Sequence, residues 1–120
     1  MTKSLNIFAA ELIGTGMVTA GPIAWGIWKS SGGAGTLLDA AIVSALPVLL
    51  GIFLFRTTSS QFNPAVTLWL LLTKRVSGAA AVAAIAGQIA GAVGAALRVV
   101  SASALWTWHQ AVNVSFSPMV

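Results

Sequence analysis

The sequence predicts an all-α membrane protein with three transmembrane helices and one helix too short to cross a bilayer. Three observations carry that expectation. Of 120 residues, 58% are hydrophobic and only 7% charged, and a mean hydropathy of +0.93 does not suit a soluble domain. The apolar residues fall into runs at about 5–28, 37–55 and 76–106, each near or above the roughly 20 residues that span the hydrocarbon. Between the second and third runs stands Asn63-Pro64-Ala65, a helix start set inside a hydrophobic chain.

The first run is too long for the apolar stretch of a signal peptide, contains Glu11 and is preceded only by Lys3, so it reads as a helix that crosses the membrane. Residues 29–36 are rich in Gly and Ser without periodicity and form a turn outside the membrane. After the second run, residues 56–62 are polar and read as extended backbone returning from the surface toward Asn63. Non-helical backbone at membrane depth is tolerated only when it is buried in protein or lines water, and that condition argues for a pore. A half-helix over residues 63–72 follows. Asn63 caps it and Pro64 fills a position whose N–H has no intrahelical partner. Its ten or so residues reach roughly 15 Å, half of a bilayer core.

The third run carries Ala79, Ala83, Gly87, Gly91 and Ala95 at four-residue spacing, with Gly94 beside them. Such a smooth ridge lets another helix approach closely, and the first run offers Ala10 and Gly14 as its partner. Trp25, Trp28, Trp106 and Trp108 lie near run ends, as an aromatic belt predicts, whereas Trp69 sits within the half-helix and reads as core packing.

Composition also limits function. Cysteine is absent, which excludes disulfides and thiol chemistry. The net charge of +4 comes from six scattered Lys and Arg residues, mostly at helix ends, so juxtamembrane anchoring explains it and a nucleic-acid partner is not indicated. His109 has no second His with which to build a metal site, and neither catalysis nor a cofactor is expected. A half-helix starting near the midplane aims free N–H groups and about half a positive charge at the membrane centre, which repels cations. If the Asn63 side-chain oxygen caps the Val66 N–H, its amide remains free to donate to a passing water or hydroxyl. A plain N-cap without a ligand is the alternative.

Ala10–Thr15, Phe62–Thr67 and the stretch around Gln88 from Ile85 to Gly91 together resemble, in order and separation, the first-helix, first NPA-box and third-helix patterns of the aquaporin and glycerol-facilitator (major intrinsic protein) family. Family members carry two such halves in one chain, inverted relative to each other; these residues supply one. A lone half would leave loop backbone groups unsatisfied in lipid. The resemblance therefore implies half of an aquaporin-like fold, completed by a second copy inserted the opposite way so that Asn63 faces Asn63 across a two-fold axis. Four such antiparallel homodimers are a candidate assembly. Lys3, Arg56, Lys74 and Arg75 oppose Lys29 and Arg98 across the membrane, a small bias that permits both orientations.

By the same resemblance the chain is expected to be a multi-pass channel of the cell (inner) membrane, passing water and small neutral solutes such as glycerol. Asn63, Pro64 and Ala65 mark the pore centre, and Ser59, Ser60, Gln61 and Phe62 the pore-lining loop. Glu11 is expected to accept hydrogen bonds from that loop, with Gln88 as a similar support. As the one acid within an apolar run, Glu11 also admits a rival reading, a dual-topology proton-coupled exporter. A third reading is a non-conducting assembly subunit. Val66 stands where the second NPA box of typical members is followed by Arg, and the other filter positions fall on Val43, Gly51 and Ser60, all small. A wide, weakly polar mouth follows, unless Arg56 reaches the vestibule instead of snorkelling at its helix end. Gln61 stands where many members have His.

Overall fold

The computed structural model describes residues 2–115, with side chains through residue 110. Among them are four helices and no strand: α1 Thr2–Ser30, α2 Leu37–Phe55, α3 Pro64–Leu72 and α4 Gly78–Ser115. Helices α1, α2 and α4 are each long and apolar enough to cross a membrane. The nine residues of α3 are not.

Local chemistry explains the boundaries. The chain leaves α1 through Gly32, whose φ of 82° lets the Gly33 N–H reach the Trp28 carbonyl at 2.9 Å and the Gly32 N–H that of Lys29 at 3.2 Å. The small residues that follow pack under aromatic rings, Gly33 against Trp28 and Gly35 against Trp25. Helix α2 opens with a capping box in which Thr36 accepts from the Asp39 N–H and Asp39 accepts from the Thr36 N–H at 2.7 Å. Helix α3 closes with the same backbone pattern as α1, but the left-handed residue is Lys74, with a φ of 57°. Helix α4 begins two residues later than the third apolar run because Ser77 caps it, accepting from the Ala80 N–H at 3.3 Å. It then continues past Trp106 to Ser115, about 57 Å in all, longer than a bilayer core.

Helices α1 and α4 run parallel and close. Gly87 lies against the backbone at Phe8 and Leu12, and Gly91 against Leu12 and Gly16, so no β-carbon fits at either glycine. The groove on α1 is thus its Phe8–Leu12–Gly16 face. Residues 10 and 14 lie two positions from Leu12, about 200° around the helix, and the room at Gly14 goes to the Phe62 ring rather than to α4. Ala81 and Ala84 are the most buried alanines of α4, while Ala83 is half-buried.

Helix α2 runs antiparallel to α1, touching it closely where Gly21 meets the Val43 carbonyl. Among the helices, α2 packs only on α1, and α3 only on α4. The outward faces of both therefore stay apolar and exposed, with Ile42, Leu46, Leu49 and Phe53 on α2 and Leu68 and Leu72 on α3.

Candidate functional site

Glu11 is fully buried in the middle of α1 and accepts from four donors. The Ser59 hydroxyl and the Gln61 N–H donate to Oε1 at 2.6 and 2.8 Å. The Phe62 N–H and the Gln88 amide donate to Oε2 at 2.7 and 2.8 Å. Four donors fill the acceptor capacity of the two carboxyl oxygens, which is how so polar a group is buried without water. The two helices that flank the loop agree on its depth. Glu11 lies ~14 Å along α1 from Thr2, and Gln88 ~15 Å along α4 from Gly78, at 1.5 Å per residue.

Gln88 extends the network. Its amide also donates to the Thr67 hydroxyl at 2.9 Å, and that hydroxyl donates back to the Asn63 carbonyl at 3.2 Å. Thr67 is fully buried and joins α3 to the Glu11 cluster. Sequence reasoning does not single it out. Its one signal is a hydroxyl among the apolar residues of α3, four positions after Asn63 and so on the same helical face. Three buried oxygens in this region, Thr15 Oγ1, Gln61 Oε1 and Gln88 Oε1, have no partner among the described protein atoms. Ordered water is the usual donor to such groups.

Asn63 is the N-cap of α3 in extended conformation, and its Oδ1 accepts from the Ala65 N–H at 2.8 Å rather than from Val66. N-cap side chains reach either the second or the third helical residue, and here the nearer one is taken. The Asn63 amide has no protein partner among the described residues, and Asn63, Pro64 and Ala65 are exposed. Just before them Phe62 adopts a φ of 48°, a conformation that costs a non-glycine residue of order 1–2 kcal/mol. Its ring is buried between Gly14 and Gly51 and meets Phe55 edge-on at 6.3 Å. Two Glu11 bonds to neighbouring N–H groups and this wedge hold the strained residue in place.

The other candidate positions separate into two groups. Gly51 lies behind the Phe62 ring, so its small size serves that ring and leaves no opening there. Val43 is half-buried toward Gly21, and Ser60 is half-buried in the loop. Val66 is 41% exposed, beside the exposed Asn63. Arg56, at the end of α2, is exposed and lies with its guanidinium 5.6 Å from the Phe53 ring centroid. Trp69 is 53% exposed beneath the Arg75 guanidinium, which corrects its reading as core. Two positions separate it from the buried Thr67, which turns it to the opposite side of α3.

Three spans with a short fourth helix and a polar loop tied into the side of α1 define an integral membrane protein. The chain belongs to the major intrinsic protein family, whose profile matches residues 1–120. This is a family of membrane channels for water or small solutes. Neither the search of curated proteins nor that of solved structures found a match.

Proposed function

We propose that the chain is a passive channel for water and small neutral solutes such as glycerol, its pore built with a second, inverted copy of itself. The observation that carries this reading is the contrast at Asn63. The loop before it is bonded inward to Glu11, while its own amide and the positive end of α3 face outward without a partner. In this reading residues 56–62 form a re-entrant loop and α3 a half-helix. Two Asn63 amides meet across the two-fold axis, orienting each solute oxygen toward the donors while the paired helix ends oppose cations. Ser59, Ser60 and Gln61 supply the polar wall leading there, and Val66 with Val43 and Ser60 sets the mouth.

The exposed start of α3 supports the inverted partner, because the Asn63 amide and the first N–H groups of a half-helix would be left unpaired in lipid at several kcal/mol per group. Several dimers, such as four, would assemble in the cell (inner) membrane. The exporter reading gains no support from Glu11. Its carboxyl group is fully buried, and each of its four donors belongs to the loop or to α4.

The test is osmotic shrinkage of liposomes holding the pure protein, first with an impermeant sugar and then with glycerol. Fast shrinkage in the first case and glycerol-dependent recovery in the second are expected. Retained oligomers without permeability would leave the assembly-subunit reading instead. Single cysteines in the Ser30–Gly35 loop should react with an impermeant reagent from both sides of the membrane. Labelling from one side alone would exclude the antiparallel pair.

A further inference from the structure

At the end where α1 and α4 begin, the first turn of α1, the loop and the turn after α3 enclose a cleft of about 360 Å³, lined among others by Lys3, Ser4, Thr58, Arg75 and Ser77. Two cations from different elements and several hydroxyls share it, and no carboxylate lines it. The chain has two acidic side chains in all. Glu11 is saturated by its four donors, and Asp39 is held by Thr36 at the start of α2, which runs antiparallel to α1 and so begins at the opposite end of the molecule. Neither lies at the cleft, so among the described residues Lys3 and Arg75 have no carboxylate partner there, and an anion from outside the chain would meet two uncompensated cations.

We infer that this cleft is a binding site for a phosphate group, taken from an anionic lipid headgroup or as free phosphate. Arg75 lines the cleft and carries a fork of N–H donors suited to phosphate oxygens, its guanidinium lying over the neighbouring Trp69 ring; Lys3 adds a point charge, and the Ser4, Thr58 and Ser77 hydroxyls supply neutral donors. The first turns of two long helices lie at the same place and add partial positive charge of the same sign. Because Thr58 belongs to the loop that leads to Asn63, an occupied cleft would tie the start of α1 to that loop. The site stands independently of whether the chain conducts.

The experiment is native mass spectrometry of the purified protein in detergent, with phosphatidylglycerol or phosphatidylcholine added at equal concentration and inorganic phosphate as competitor. The wild type should retain phosphatidylglycerol roughly tenfold more strongly than phosphatidylcholine, the size of one charge-assisted contact. Arg75→Gln and Lys3→Gln should each remove most of that preference, Arg75→Lys should keep part of it, and Lys74→Gln, which removes a neighbouring charge outside the cleft, should keep all of it. Lys3 is an exposed residue in the first turn of α1, so Lys3→Gln tests the site without disturbing packing. Displacement of the lipid by millimolar phosphate would identify free phosphate as a ligand; retention against phosphate would identify the headgroup. Equal retention of both lipids without phosphate binding, or equal losses in Lys74→Gln and Arg75→Gln, would overturn the site in favour of diffuse surface charge.

Discussion

On one side of the loop, Ser59, Gln61, Phe62 and Gln88 converge on a single buried carboxylate. On the other side, Asn63 through Val66 are exposed, and the apolar faces of α2 and α3 have no helix against them. The chain thus completes by itself the side where a carboxyl group and loop backbone must be buried, and leaves open the side where only apolar surface and a few donors need cover. A buried polar cluster has to be satisfied locally and at once, because lipid offers it nothing. Apolar surface tolerates lipid until a partner arrives.

Substitutions can break or sharpen this contrast, and the largest effect should come from Glu11→Gln. It replaces an acceptor-only group with one that aims an N–H at donors already in place, so a loss of about 3 kcal/mol or more is expected. The readout is thermal unfolding in detergent together with the yield of folded protein. An unchanged melting temperature would mean that the cluster does not hold the loop. The exchange Glu11→Gln with Gln88→Glu keeps one carboxylate among the same groups and should recover part of the loss.

Gly14→Ala comes next. The new β-carbon would stand inside the Phe62 ring, and overpacking of this kind costs about 1–3 kcal/mol. Phe62→Leu in the same chain should restore some stability, and the double-mutant cycle measures the coupling. Additive losses would place the ring elsewhere.

Asn63→Ala acts on the open side. Loss of the cap should lower stability by only about 1 kcal/mol, yet if the proposed pair forms the pore, water and glycerol fluxes should both fall, since that pore would lose two central donors. A variant with wild-type flux would remove Asn63 from the permeation path.

Val66→Arg should leave stability within about 0.5 kcal/mol, as its site is exposed. It should cut glycerol flux more than water flux, because the cation narrows the mouth while still offering donors to water. Equal losses would put the narrowest point nearer Gln61. The smallest expected effect is none: with no cysteine in the chain, a thiol-specific mercurial should leave permeability unchanged.

Composition and run length, read along the chain, determine that three segments of this protein are long and apolar enough to cross a membrane and that a fourth helix, beginning after Asn63, is too short. Those are local properties: a helix satisfies its own backbone, so its apolar length decides what it can span. Glu11 and Gln88 stand out for a similar reason, as polar groups in apolar runs. What they touch is another matter. The choice of the Phe8–Leu12–Gly16 face for α4, the Phe62 ring taking the space at Gly14 and Gly51, and Thr67 bridging Gln88 to Asn63 all join residues from separate helices. Gly14 reads as a helix contact and Gly51 as an opening when each is seen alone, because a missing side chain says that something comes close without saying what. Only the tertiary structure assigns that space, since packing is decided among all the groups that compete for it.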